Sequence, residues 1–178
     1  MTKLKSFLAI AAIAASTLPL AAQQKRVSPH ETVNGRIDGS IVTVTYGRPY
    51  TKDPKTGEPR KIWGGLVPYG KEWRLGADEA TTLITQKPLV FGDTTVPAGA
   101  YTLYMLPEED GPSKLIINKQ LGQWGTVYDE KQDLARIDLK KETLDTPVDQ
   151  LTIAVARPGV LKISWENTQY SAPFTIQK

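Results

Sequence analysis

The chain has no cysteine among its 178 residues and only one histidine, His30. The first absence excludes thiol nucleophiles, cysteine-bound zinc, iron-sulfur clusters, disulfide staples and lipid attachment through an N-terminal cysteine. The second excludes a multi-histidine metal centre and leaves one imidazole for base catalysis. A Ser-His-Asp triad would have to use His30, beside Pro29 near an end expected to fray, and no Gly-x-Ser-x-Gly elbow supplies its serine. No metal and no cofactor is expected. Charge of one sign is also scarce: 22 basic and 19 acidic residues give a formal net charge of +3. Two of the basic residues, Lys3 and Lys5, sit in a segment expected to be removed. The nearly neutral remainder argues against nucleic acid as a partner.

A long apolar run is missing too. Lys3 and Lys5 precede the short run Phe7 to Ala15, followed by Pro19 and the small pair Ala21-Ala22. That is the layout of a secretory signal, and the run is far shorter than the roughly 20 residues of a spanning helix. Residues 1–22 are therefore expected to be a cleaved signal peptide. Residues 23–178 then form one domain, secreted or periplasmic, without a transmembrane anchor. Roughly 150 residues can bury about 70% of their unfolded surface, enough for a core without staples.

What the mature part does have is punctuation. All 14 glycines lie beyond the signal, leaving little room for long helices. Glu31 to Ile37 and Ile41 to Tyr46 flank Asp38-Gly39, a pair suited to a tight hairpin. Val42, Val44 and Tyr46 alternate with Thr43 and Thr45, so one face is expected to be core. Similar short runs at Thr82 to Gln86, Leu89 to Phe91, Ala100 to Leu106, Leu115 to Asn118, Leu151 to Val155, Leu161 to Trp165 and Tyr170 to Ile176 are separated by turn residues. Asp129 to Asp133 reads as a short helical turn before a strand at Ala135 to Leu139. The expected fold is all-β: a single antiparallel, jelly-roll-like β-sandwich of about ten short strands.

The exception is Gly47 to Gly76, with six glycines, four prolines, seven basic residues and three acidic ones. A connection this long is usually functional or disordered. Around it stand Tyr46-Gly47-Arg48-Pro49, then Leu66-Val67-Pro68-Tyr69-Gly70, then Trp73-Arg74-Leu75-Gly76-Ala77-Asp78-Glu79-Ala80-Thr81. Pro97-Ala98-Gly99-Ala100-Tyr101 and Gln123-Trp124-Gly125-Thr126-Val127-Tyr128 follow later. These steps resemble the bacterial exported proteins of domain-of-unknown-function family 2911, over nearly all of the mature chain. The resemblance implies an exported β-rich domain and no established activity. At Asp78 the family pattern has Asn, so an amide stands there in the family and a carboxylate here.

From the residues themselves, Arg48, Trp73, Arg74, Asp78, Glu79, Trp124 and Tyr128 are the candidate ligand-binding set. Guanidinium forks match carboxylates and phosphates at two points, and aromatic faces stack on sugars or peptides. Each has a structural counterpart. Arg74 pairing with Asp78 or Glu79 would clamp the loop, and Trp63, Tyr69 and Trp73 would anchor it to the core, as Trp124 and Tyr128 would on a second loop. Two functional readings follow. One is a non-enzymatic binding or structural module of the envelope, its partner a small molecule, a glycan or an envelope protein. The alternative is a hydrolase acting on glycans through a carboxylate pair drawn from Asp78, Glu79 and Asp129.

Overall fold

The computed structural model describes residues 26–178, and the expected signal peptide lies outside the described residues. Asp38 and Gly39 both take left-handed backbone, with φ of 46° and 77°. This is the geometry whose twist matches two flanking strands. It joins β1 (His30–Ile37) to β2 (Ser40–Gly47) in the register Ile37 opposite Ser40. Val42, Val44 and Tyr46 are at most 1% exposed, so they face the core as their alternation with threonine implies. A side chain at Gly39 would meet nothing within 4 Å, so substitution there acts through the backbone alone. Gly39→Val is expected to cost about 1–2 kcal/mol, because a β-branched residue resists positive φ. An unchanged denaturation midpoint would show that the turn tolerates it.

The remaining strands are β3 (Thr81–Thr85), β4 (Leu89–Phe91), β5 (Thr94–Val96), β6 (Gly99–Leu106), β7 (Lys114–Asn118), β8 (Asp133–Asp138), β9 (Lys140–Ala156), β10 (Val160–Pro173) and β11 (Thr175–Ile176). All pairings are antiparallel. One sheet runs β1-β2-β3-β6-β7-β8, the β9–β10 hairpin forms a second, and β11-β4-β5 a third. The protein is thus an all-β sandwich. A one-turn 3-10 helix, Glu130–Gln132, precedes β8 where a helical turn was expected. Among the described residues no helix is long and apolar enough to cross a membrane.

Two of the eleven strands among the described residues are not short. β9 has 17 residues and β10 has 14, and their pairing continues past irregularities around Glu166. The sequence marks only their apolar halves as strand. Residues 140–150 carry charge, threonine and Pro147, a half-solvated pattern whose strand state depends on the partner strand rather than on their own hydrophobicity.

Inward residues of the six-stranded sheet, including Val44, Leu83, Leu103 and Ile117, join Leu151, Ile153, Ile163 and Trp165 of the hairpin in one core. The hydroxyl of Tyr46 links the layers, accepting from Ile153 N–H at 2.8 Å and donating to Glu31 at 3.0 Å. Burial pushes its pKa up to about 12. β6 and β7 are buried on both faces, because Tyr104 and Ile116 form a second cluster with Ala80 on the outer side, against which Tyr128 packs.

Candidate ligand-binding site

The connection between β2 and β3 closes over the sandwich through its aromatic residues. Trp63 and Trp73 are about nine-tenths buried. Trp73 stacks on Trp165 with ring centroids 5.9 Å apart, while Trp63 meets Tyr170 edge-on at 5.1 Å. The anchoring role expected of these two tryptophans is what they perform, and Trp73 presents no open platform.

The backbone explains why chemistry gathers just beyond Trp73. β6 pairs with β3 as far as Leu103, and two residues further Trp73 exchanges both N–H···O bonds with Met105, each 2.8 Å. The chain therefore leaves the sheet after Trp73 and rejoins it at Thr81. Residues 74–80 bulge outward between these points. Leu75 and Asp78 in the bulge have φ of 53° and 65°. Such backbone is uncommon outside glycine, though Asp and Asn tolerate it best. That tolerance accounts for an Asp where the resembled pattern has Asn. The bulge is pinned by Ala77 N to Gly47 O (3.3 Å), Gly125 N to Asp78 O (2.9 Å) and Thr81 Oγ1 to Leu75 O (2.9 Å).

Within this frame the expected clamp does not form. Glu79 takes the guanidinium of Arg26, with Arg26 Nη2 to Oε1 at 2.6 Å, and lies 3.0 Å from His30 Nε2. Arg74 takes no carboxylate partner among the described residues, and its Nε is buried without an acceptor. Its stem packs where a side chain on Gly125 would stand. Two left-handed residues, Leu75 and Asp78, redirect the chain between Arg74 and Glu79, so closeness in sequence does not become contact.

Arg74 instead lines a recess of about 250 Å³ with Arg60, Asp78, Leu66, Trp73 and Trp165. Arg60 donates through Nη2 to Tyr50 O, and its Nε, like Trp165 Nε1, is buried without an acceptor. Of the seven candidate residues, the bulge thus brings Trp73, Arg74 and Asp78 to one recess and sets Glu79 beside it. The other three lie elsewhere. Arg48 is committed to the fold: Nε donates to Leu151 O and Nη2 to Thr152 Oγ1, both 3.0 Å, while Nη1 lies 3.0 Å from Glu31. Trp124 is 51% exposed, so it does not join the core, although its backbone bridges to Glu79. Tyr128 packs on Tyr104 at 4.8 Å and donates to Asp133 at 2.7 Å, and burial followed by that carboxylate raises its pKa. Asp129 caps the 3-10 turn through Lys131 N.

Ligating atoms of His30, Asp78 and Glu79 lie within 4.8 Å of one another, a donor set of the kind that holds a cation. Arg26 already supplies positive charge there. His30, expected at a frayed end, in fact opens β1 and joins this network. Hydrogen bonding from Arg26, above all, lowers the Glu79 pKa to about 2. A carboxyl ionised that far below neutrality cannot serve as a general acid near pH 7. Because the folded value is depressed, the stabilisation is complete above about pH 4.5 and is lost as pH falls towards 2. Both side chains are more than 40% exposed, so solvent screening keeps the effect modest. Hydrogen exchange of residues 26–30 is expected to accelerate selectively across that acid window, and Glu79→Gln should abolish the pH dependence. Exchange that is flat with pH would show that the pair does not hold the segment.

Arg60 and Trp165 are the recess residues that the sequence does not single out. Arg60 is one of seven basic residues in its loop, and Trp165 alternates as an ordinary core position. The useful signal was the density of Arg and Trp around the loop, not any spacing.

The fold and the recess define a β-sandwich with a pocket built by one long loop against one sheet. The chain matches, over residues 28–174, the family described as protein of unknown function (DUF2911), and it belongs to that family. No curated protein and no solved structure matches it.

Proposed function

We propose that this protein is an exported, non-enzymatic binding module of the bacterial envelope, and that the recess beside Arg74 receives a small ligand bearing an anionic group. The reading is carried by Arg74: a half-buried guanidinium with no carboxylate partner among the described residues, facing a recess and set in a bulge with two strained residues. Folded proteins retain such uncompensated groups where a ligand completes them. The recess is smaller than the roughly 300–1,000 Å³ typical of drug-sized ligands, which favours a small molecule over a glycan chain. Export is supported by Lys3, Lys5 and the short apolar run that follows them.

A thermal-shift screen of small carboxylates, phosphates, peptidoglycan fragments and neutral sugars tests this. Anionic compounds should raise the melting temperature saturably, by the equivalent of about 2.7 kcal/mol at a hundred times Kd. Arg74→Ala should abolish the shift. Stabilisation by neutral sugars alone, surviving Arg74→Ala, would defeat the reading.

A further inference from the structure

Arg74 and Asp78 line the same recess with opposite charges, yet no ion pair joins them. Arg60 adds a second guanidinium to the lining, and its side chain's only acceptor among the described residues is the Tyr50 carbonyl. Asp78 also stands with Glu79 and His30, and the guanidinium of Arg26 is taken by Glu79. Arg26 is hydrogen-bonded to Glu79 and reaches Asp78 only through space. The recess lining therefore carries two guanidinium groups, Arg74 and Arg60, and one carboxylate, Asp78, with no ion pair among them. The exposed apolar part of the lining is Leu66, 46% exposed, while Trp73 and Trp165 are almost wholly buried.

We propose that the ligand is a small zwitterion, an apolar α-amino acid, with its carboxylate on Arg74 and Arg60, its ammonium on Asp78, and its side chain against Leu66. This rests on the binding reading above and names its ligand class. A simple anion meets Asp78, a simple cation meets two arginines, and a neutral sugar answers neither charge. Only a ligand carrying both charges answers both the guanidinium groups and the carboxylate, so these groups also disfavour the single-charge analogues.

The test is calorimetric titration of the purified protein with L-leucine and L-phenylalanine. The comparisons are 4-methylpentanoate and 3-phenylpropanoate, which lack the ammonium, and 3-methylbutylamine and 2-phenylethylamine, which lack the carboxylate. At least one amino acid is expected to bind, with its single-charge analogues weaker by about ten- to a hundredfold. Asp78→Asn, which keeps a residue tolerant of left-handed backbone, should weaken the amino acid by a similar factor and leave the carboxylate analogue unchanged or tighter. Arg74→Met should abolish binding of both. If the carboxylates bind as tightly as the amino acids and Asp78→Asn changes nothing, or if neither amino acid binds while other anions bind through Arg74, the zwitterion is overturned and the anion pocket stands. Binding that survives Arg74→Met overturns both.

Discussion

Replacing Trp165 with alanine is expected to destabilise the protein by about 3–5 kcal/mol, the largest single effect anticipated here. The ring is fully buried, stacks on Trp73 at an interplanar angle of 17°, and meets Trp63 edge-on at 6.5 Å. It is the surface of the β9–β10 layer onto which the long loop is pressed. Truncation would leave a cavity bordered by two other indoles, which cannot collapse without moving the loop. Trp165→Phe keeps an aromatic face in the stack and removes an indole N–H that has no acceptor, so it should cost markedly less. Equilibrium unfolding of both variants decides the matter. Equal losses would mean that a phenyl ring restores neither the packing nor the stack, and that the whole indole is required there.

Gly47→Ala is expected to cost about 1–3 kcal/mol, and to do so through the backbone of the bulge. A Cβ on Gly47 would collide with the carbonyl oxygen of Ala77, and that contact is backbone, so no side-chain rotation relieves it. The collision lies beside the hydrogen bond from Ala77 N to Gly47 O that pins the bulge. Hydrogen exchange at residues 74–80 should therefore rise more than exchange in β9 or β10. Ligand response should fall with it, since Arg74 and Asp78 ride on the displaced segment. Uniform loss of protection across the domain would show instead that Gly47 matters only for global stability.

These expectations mark what the sequence could and could not reveal. The β1–β2 hairpin was legible because Asp38-Gly39 encodes left-handed backbone locally and the Val/Thr alternation encodes the faces. Anchoring by Trp63 and Trp73 was legible because large aromatic residues in a long loop rarely stay in water. The candidate site was legible only as a neighbourhood. Arg74, Asp78 and Glu79 lie close in sequence, which suggests pairing, but Leu75 and Asp78 reverse the chain locally. Glu79 finds its partner in Arg26, 53 residues earlier. Arg60 and Trp165 enter the recess through tertiary packing that no local pattern encodes. The polar half of β9 escaped for the same reason, its strand state being imposed by β10.

The left-handed backbone and Arg74, which has no carboxylate partner among the described residues, fall in the same seven-residue bulge, and the proposed binding role predicts that local stability is given up there. The most direct test is the stability of unliganded Arg74→Met against the wild type, measured by equilibrium unfolding. Methionine keeps an apolar stem against Gly125 and removes the charge. If Arg74 is held unpaired for a ligand, the variant should be as stable as the wild type or more stable, because a partly buried charge without a partner has been removed. A loss of about 2 kcal/mol or more in the absence of any ligand would mean that Arg74 supports the fold, and would contradict the account.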